Sequence, residues 1–246
     1  MKRLPLTSCI VACLALLSSP REGALAQDLK AMDRSRAVYA ALGTYSDSGS
    51  VVTESRLAGT PTVVERFTFR TSFKRPRQYL FEFAANAASG ADRVALWCET
   101  AEGDFHSWWK ATGVHDVHGN RTGINAFLTT AAPTKGTSLY LVSILLPQTA
   151  LLASLGAFAP TVATRDTIGG RPHIKLSGEM KGHFGSGRPM AVWVDAESHL
   201  IRRIVEDTPN ESPVGSVDRM TTTFVPRANP VLGPGAFQYR IPGGAP

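Results

Sequence analysis

The chain has 246 residues, of which 43% are hydrophobic and 19% charged, and its formal net charge is +6. This composition excludes a disordered or low-complexity chain, and the length predicts one domain that can bury a sizeable core. The 22 glycines and 16 prolines separate many short β-rich runs, which disfavours a helical bundle and favours a mostly β (α+β) domain.

The first 26 residues have the pattern of a secretory signal peptide. Residues 2–3 are basic, residues 8–17 form an uncharged apolar run, and residues 24–26 read Ala-Leu-Ala, a typical cleavage signal. The apolar run is too short to span a bilayer as a helix. We expect cleavage after Ala26, which removes three basic residues and one acidic residue. Residues 27–246 then form one periplasmic or secreted domain with a net charge of +4.

The cleavage removes two of the three cysteines and leaves only Cys98. A single cysteine excludes an intramolecular disulfide and a cysteine-rich zinc site, and its position at the end of an apolar run predicts a small buried side chain. Lipidation at Cys13 is an alternative, because residues 10–13 (Ile-Val-Ala-Cys) resemble the sequence before a lipid-modified cysteine. The mass of the mature protein distinguishes the two.

Basic residues are scattered along the chain. The densest groups are residues 74–77 and 202–203, and neither alternates with aromatic side chains as a nucleic-acid platform does. We interpret both groups as solvated faces or strand ends with at most a weak attraction to anionic lipid head groups, and we expect no nucleic-acid partner.

The hydrophobic pattern predicts an amphipathic helix over residues 28–42 and a short helix over residues 123–131. Between and after them the apolar period is two, which is typical of strands with one apolar and one wet face. Residues 47–49 (Asp-Ser-Gly) predict a turn before the first strand. Strands are predicted over residues 50–57, 62–73, 79–83, 94–98, 105–110, 163–167, 172–177, 191–194, 200–205, 219–225 and 236–241.

The second and third predicted strands carry aromatic side chains at alternate positions. In an antiparallel meander these rings share one continuous face of the sheet. The face is either an ordinary core packed on the N-terminal helix or a concave surface that holds an apolar guest. Its six aromatic residues are Phe67, Phe69, Phe73, Tyr79, Phe81 and Phe83.

An uncharged segment extends over residues 136–164 and is most apolar over residues 139–160. Pro147 divides it, which favours two short buried helices that form a lid over the sheet. A membrane-associated or membrane-spanning helix is the alternative, since the length is sufficient. The residues expected to form the lid are Leu141, Ile144, Leu145, Leu151, Leu152, Leu155 and Phe158.

Short motifs follow one another in the C-terminal third. Residues 192–203 read as strand, aspartate, turn and strand, residues 221–232 as the next strand and an Asn-Pro-Val-Leu loop, and residues 237–244 as a closing motif with Tyr239 in place of a phenylalanine. With residues 45–49 near the start, this order resembles the LolA/LolB-like family of outer-membrane lipoprotein-sorting proteins. The resemblance implies an incomplete antiparallel β-barrel, here of ten to eleven strands. An N-terminal helix and lid helices would lie over a concave apolar face that holds acyl chains.

Motifs that carry chemistry are absent from the sequence. It contains no G-x-S-x-G elbow, P-loop or dinucleotide fingerprint. His106, His115 and His118 fall in one stretch, but positions 115 and 118 of a strand face opposite sides, which favours a polar loop over a metal site. We therefore expect no catalysis and no metal or other cofactor.

These observations together favour a monomeric, non-catalytic binding or carrier protein for a lipid or for the acyl chains of a lipid-modified protein. The alternative is an envelope-stress or regulatory sensor of the same fold that acts through an inner- or outer-membrane protein partner. What co-purifies with the protein distinguishes the two hypotheses.

Overall fold

Residues 28–56, 61–85, 93–119, 123–146, 155, 158–180, 188–209 and 217–243 are described by the structure, a computed structural model. The predicted signal peptide and Cys13 lie outside the described residues. The helices of the described part are α1 (Ala31–Ala41), α2 (Ile124–Ala131), α3 (Thr137–Tyr140) and α4 (Val142–Leu145). The first two confirm the helices expected from the hydrophobic pattern.

A single antiparallel sheet contains the strands of the described part. They are β1 (Thr44–Ser55), β2 (Val63–Lys74), β3 (Gln78–Ala85), β4 (Arg93–Cys98), β5 (Phe105–Trp109), β6 (Val114–His118), β7 (Phe158–Ile168), β8 (Arg171–Met180), β9 (Arg188–Asp195), β10 (Ile201–Pro209), β11 (Val217–Phe224) and β12 (Arg227–Ala228). Their order is β6-β5-β4-β3-β2-β1-β11-β10-β9-β8-β7, and β12 pairs with β1. An open antiparallel sheet with few helices confirms the expected fold class, an incomplete β-barrel with helices.

Alternate residues of β3 lie on opposite faces of the sheet. Tyr79 and Phe81 belong to the main apolar core, whereas Leu80 belongs to a second, smaller cluster. We call the first face inner, because α1 and α2 pack on it, α2 through Phe127. The second, outer face is covered near β3, β4 and β5 by the C-terminal segment, whose Phe237 joins the smaller cluster.

The first strand begins earlier than expected, and the turn predicted at residues 47–49 is wrong. These residues continue β1 and pair with β2, and Gly49 lies opposite Phe69 on one side and Phe224 on the other. The two rings meet across the glycine, with centroids 5.4 Å apart. A Cβ at Gly49 would lie 2.3 Å from the Phe69 ring and 2.3 Å from the carbonyl oxygen of Thr223. The glycine therefore serves close packing within a strand.

Replacing Gly49 with alanine is expected to lower the free energy of unfolding by about 1–3 kcal/mol, because overpacking forces a ring and a backbone carbonyl apart. Gly233→Ala is the matched control, since a Cβ there meets nothing within 4 Å. Urea denaturation measures both. Equal unfolding midpoints for the two variants would show that the close approach at Gly49 carries no cost.

Other boundaries also differ from the sequence-based expectation. β6 forms where a polar loop was predicted, because its backbone pairs with β5 along its whole length. Residues 236–241, predicted as the last strand, instead belong to the segment that packs on the outer cluster. Phe158, assigned to the lid, is the first residue of β7, where it lies opposite Met180 of β8.

The uncharged segment begins with α3 and α4, which agrees with short helices in its first half. Pro147 and residues 148–154 lie outside the described residues. In the part of the chain that the structure describes, no helix combines the length and the apolar character needed to cross a membrane.

Candidate binding site beneath the helical cover

The six predicted aromatic residues lie together on the inner face of β2 and β3. The register sets Phe69 opposite Phe83 and Phe73 opposite Tyr79. All six belong to the main core and are between 0% and 5% exposed. We call them the aromatic floor: Phe67, Phe69, Phe73, Tyr79, Phe81 and Phe83.

Ring contacts join four of the six residues of the aromatic floor. Phe67 stacks on Phe83 with a centroid distance of 5.0 Å, and Phe81 contacts Phe69 at 6.0 Å and Phe83 at 6.4 Å. Such contacts add about 0.5–1.5 kcal/mol each beyond the burial of apolar area. The floor is therefore a rigid apolar surface about two strands wide.

Residues 123–146, which contain α2, α3 and α4, lie over this surface, and we call them the cover. Phe127 of α2 meets Tyr79 of the floor at a ring distance of 5.6 Å, and also contacts Phe105 of β5 at 5.4 Å. The predicted lid residues of the cover are buried in the same core as the floor: Leu141, Ile144 and Leu145.

The remaining predicted lid residues fall on three different parts of the chain. Leu155 is fully buried in the same core, just before β7. Phe158, on β7, is also part of that core. Leu151 and Leu152 lie outside the described residues. The structure thus brings five of the seven lid residues to the inner face, four of them outside regular strands.

The aromatic floor is closed in this structure. Its rings and the buried leucine and isoleucine side chains of the cover are all at most 7% exposed. An apolar guest could reach the floor only if the cover moved away from the sheet.

Three hydroxyl groups inside the cover, those of Thr130, Thr134 and Ser138, bond to the cover itself. Thr134 Oγ1 donates to the carbonyl oxygen of Thr130 at 2.6 Å and lies 2.9 Å from Ser138 Oγ. Thr130 Oγ1 donates to the carbonyl oxygen of Ala126 at 2.9 Å. These three hydroxyls would keep their partners if the cover moved as one body, whereas the Tyr140 hydroxyl of the cover would lose its interaction with Glu206 of β10.

Two cationic side chains join the cover to the sheet. Lys135 Nζ lies 3.4 Å from Glu65 Oε2 and 5.6 Å from the centre of the Phe67 ring. Arg75, in the turn between β2 and β3, donates to the carbonyl oxygens of Tyr39 at 2.9 Å and Leu145 at 3.3 Å. Arg75 thus fastens α1 and α4 to the same turn.

Replacing Lys135 with asparagine is expected to speed hydrogen exchange of residues 123–146 while lowering the free energy of unfolding by less than about 1 kcal/mol, because the ion pair is exposed. Asparagine tolerates the positive φ of 53° at this position. Lys110→Asn, in an exposed turn outside the cover, is the control. Unchanged exchange in the Lys135 variant would show that this contact does not hold the cover.

Basic residues expected to be solvated make specific contacts instead. Besides Arg75, Arg77 lies over the Phe105 ring at 5.1 Å. Arg203 lies over the Trp193 ring at 5.7 Å, and Arg202 Nε lies 3.7 Å from Asp195 Oδ2. Residues 74–77 do lie at strand ends, as expected, and the four arginines are half-buried rather than fully solvated.

A buried carboxyl group lies beside the aromatic floor. Asp47, on the inner face of β1, is 6% exposed and accepts a hydrogen bond from Tyr45 Oη at 2.8 Å. Burial raises the pKa of Asp47 to about 6, although the hydrogen bond from Tyr45 acts in the opposite direction. Burial also raises the pKa of the neighbouring Tyr39 hydroxyl, which accepts a hydrogen bond from the backbone N–H of Ile201 at 3.3 Å.

A second carboxyl group is buried on the other half of the inner face. Glu206 of β10 is 5% exposed and lies in register between Met190 of β9 and Met220 of β11. Burial raises its pKa, and the hydroxyl of Tyr140 from the cover and the charge of Arg188 act in the opposite direction. The inner face is thus aromatic at β2 and β3 and methionine-rich, with one acid, near β10.

Sequence reasoning missed both acids, as well as Phe105, Phe127 and Arg75. The Asp-Ser-Gly sequence that contains Asp47 has the composition of a turn, and only its alternation with Tyr45 pointed to a strand. Glu206 follows a regular alternation in β10, but burial of a charged residue depends on neighbouring strands that are distant in sequence.

The histidines singled out by the sequence lie at the β5–β6 edge. His106 Nδ1 lies 3.1 Å from His115 Nε2, and both rings stack on Trp97. His118 contacts Ser107 Oγ instead, at 2.9 Å. Among the described residues, no group of three or more His, Cys, Asp or Glu side chains is placed to hold a metal ion.

Cys98 is buried, as expected, with its Sγ 3.2 Å from the carbonyl oxygen of Thr100. Burial raises the pKa of this thiol, although the nearby charge of Arg77 acts in the opposite direction. A raised pKa keeps the group as an unreactive thiol at neutral pH.

Comparison with known proteins gives similarity at the level of structure. No family model and no curated protein matches the chain. The structure of LprF from Mycobacterium bovis is similar with a TM-score of 0.46 and 14% identity, and the match covers 87% of this chain and 98% of that chain. A LolA superfamily protein from Nitrosomonas europaea has a TM-score of 0.34 and 9% identity, and the same 87% and 98% are covered.

The complex of MucA and MucB from Pseudomonas aeruginosa is a further similar structure, with a TM-score of 0.39 and 12% identity over 87% of this chain and 61% of that chain. The similar structures thus include the family whose motifs the sequence resembles. At these identities the similarity concerns the fold alone, and function has to be argued from the residues of this chain.

Proposed function

We propose that the protein is a non-catalytic carrier that binds the acyl chain of a lipid or of a lipid-modified protein between the aromatic floor and the cover. The observation that supports this most is the way the floor is buried. Six aromatic side chains are covered by helices of eight, four and four residues. Helices of this length are not stable on their own, so the cover is held by apolar contacts that an acyl chain can replace.

The free energy gained by burying an acyl chain is large enough to offset the cost of moving the cover away from the floor. An acyl chain that leaves water gains about 0.8 kcal/mol per methylene group, or roughly 11 kcal/mol for a chain of about fourteen methylenes. Association costs about 4 kcal/mol or more, and moving the cover consumes part of the remainder. The exchange therefore allows micromolar affinity with ready release, which suits a carrier.

A fluorescence titration with cis-parinaric acid tests the proposal with a matched pair of variants. Phe83→Leu changes the floor, and Phe237→Leu makes the same change in the outer cluster, where the residue is also buried. We expect a micromolar dissociation constant for the unmodified protein, a shift of threefold or more in Phe83→Leu and no shift in Phe237→Leu. Absence of binding, or equal effects of the two variants, contradicts binding at the floor.

Export is the second part of the proposal. The first 26 residues act as a signal peptide, and residues 27–246 form the carrier in the periplasm or outside the cell. Mass spectrometry of the protein from its own envelope distinguishes cleavage after Ala26 from lipidation at Cys13. A mass that corresponds to the uncleaved chain contradicts export through this signal.

The same envelope material tests the alternative function, a sensor that acts through a membrane-protein partner. Affinity purification from detergent-solubilised envelope without added lipid is the measurement. We expect an acylated ligand and no stoichiometric protein. A membrane protein recovered at one copy per carrier chain would favour the sensor instead.

A further inference from the structure

A cavity of about 280 Å³ lies between Asp28 and α1 on one side and β7, β8 and the turn after β9 on the other. Its volume is close to the lower limit of small-molecule pockets, about 300 Å³, so it is too small for a whole lipid. Its lining residues are Asp28, Arg34, Arg165, Pro172, His173, Ile174 and Ala196.

The apolar wall of this cavity is continuous with the interior of the protein. Ile174 is a member of the main core, and Ala196 packs against that core. Arg165 lies opposite Ile174 in the β7–β8 register, on the same face of the sheet. A ligand group in the cavity therefore sits at the β7–β8 end of the inner face, and the chain of a lipid held there would extend across the intervening strands toward the aromatic floor.

The polar wall carries an excess of positive charge. Asp28 is the one carboxylate among the described residues of the lining, and Arg165 Nε lies 3.4 Å from its Oδ2. Arg34 is then the cation that is not neutralised within the lining. Its Nε is buried and has no hydrogen-bond partner among the described residues.

A second polar side chain of the lining is also incompletely paired. His173 is 3% exposed, and its Nδ1 lies 2.8 Å from the carbonyl oxygen of Arg171, to which it donates. Its Nε2 has no hydrogen-bond partner among the described residues and lies 4.0 Å from Asp195 Oδ2. The buried Arg34 Nε is a donor that an anionic oxygen can satisfy, whereas the Nε2 of neutral His173, whose Nδ1 donates, is an acceptor and takes no part in binding an anion.

We infer that this cavity binds the anionic head group of the lipid, a carboxylate or a phosphate, with Arg34 as its principal contact and Arg165 at the mouth. The inference rests on the proposed acyl-binding function and deepens it, because it selects anionic lipids over neutral ones. A guanidinium is suited to this role, since its planar donors pair with two oxygens of a carboxylate or phosphate.

The test compares an acid with its neutral ester at pH 8. cis-Parinaric acid and its methyl ester have the same chain, so the difference in their dissociation constants reports on the head group. We expect the acid to bind tenfold or more tightly than the ester. Arg34→Gln should raise the dissociation constant of the acid to that of the ester and leave the dissociation constant of the ester unchanged.

Arg66→Gln is the control, because it removes one exposed positive charge from β2, outside the cavity. We expect it to change neither affinity. Equal affinities of acid and ester in the unmodified protein, or an equal loss of both in Arg34→Gln, would overturn the inference and leave acyl binding intact. Failure of both probes to bind would instead contradict the proposed function itself.

Displacement of bound cis-parinaric acid distinguishes a phosphate from a carboxylate as the group that the cavity binds. Oleate, dioleoylphosphatidate and dioleoylglycerol are each titrated against bound cis-parinaric acid. Stronger displacement by phosphatidate than by oleate assigns the cavity to a phosphate, and the reverse order assigns it to a carboxylate. Displacement by dioleoylglycerol that equals that of both anions contradicts an anionic site.

Discussion

Replacing Phe81 with alanine is expected to lower the free energy of unfolding by about 3–5 kcal/mol, the range for aromatic side chains removed from a packed core. Phe81 is 2% exposed and lies between Phe69 and Phe83 in the aromatic floor. Its removal leaves a cavity bounded by rings that are fixed to neighbouring strands and cannot close it. Urea denaturation monitored by circular dichroism measures the loss.

Two comparisons make the Phe81 result specific. Val231→Ala should change the unfolding free energy by no more than about 0.5 kcal/mol, because Val231 is fully exposed. Adding oleate should recover part of the loss in Phe81→Ala, since an acyl chain fills the space that the ring left. A loss below about 1 kcal/mol would mean that the floor is not a rigidly packed surface.

Replacing Asp47 with asparagine is expected to change how stability depends on pH. The folded-state pKa of Asp47 is raised by burial to about 6, from an ordinary value of 3.8. The folded state therefore holds this proton more tightly than the unfolded state between about pH 4 and pH 6. The contribution of Asp47 is fully present below about pH 4 and is lost as pH rises through about 6.

The size of this effect follows from the shift of about two pKa units, which corresponds to roughly 3 kcal/mol. Asparagine keeps an oxygen that accepts the hydrogen bond of Tyr45 but cannot ionise. We expect the stability difference between the two proteins to move by roughly 3 kcal/mol in favour of Asp47→Asn between pH 4 and pH 7. Chemical denaturation at each pH gives the measurement.

Asp116→Asn provides the control for the Asp47 result, because Asp116 is exposed on β6. Its effect should stay within about 0.5 kcal/mol at each pH. A stability difference for Asp47→Asn that is constant from pH 4 to pH 7 would show that the carboxyl group ionises in the folded protein as it does in water.

The aromatic floor was predictable from sequence because two consecutive strands repeat the same alternation. Phe67 to Phe73 and Tyr79 to Phe83 place their rings on one side of any antiparallel hairpin, whatever the rest of the chain does. The start of the uncharged segment was predictable as helical for a similar reason, since its apolar residues are local in sequence. These features depend on period and composition, which a single sequence displays.

The remaining parts of the site depend on pairings that are distant in sequence. Asp47 is buried because β1 pairs with β2 along its length, and the same residues in a free loop would form a turn. Arg34 and Arg165 meet at one cavity although 130 residues separate them, and no local pattern records this. The strand β6 was missed because its five residues, Val-His-Asp-Val-His, place the two valines three positions apart and so show no period of two.

Native mass spectrometry of the protein purified from its own envelope tests the central claim most directly. We predict that a substantial fraction carries an added mass that collision removes and that tandem spectra identify as an acyl-bearing lipid or lipid-modified peptide. The bound fraction should fall in Phe83→Leu and persist in Phe237→Leu. A clean ligand-free mass, together with no displacement of bound cis-parinaric acid by any lipid, would contradict the claim that the inner face carries acyl chains.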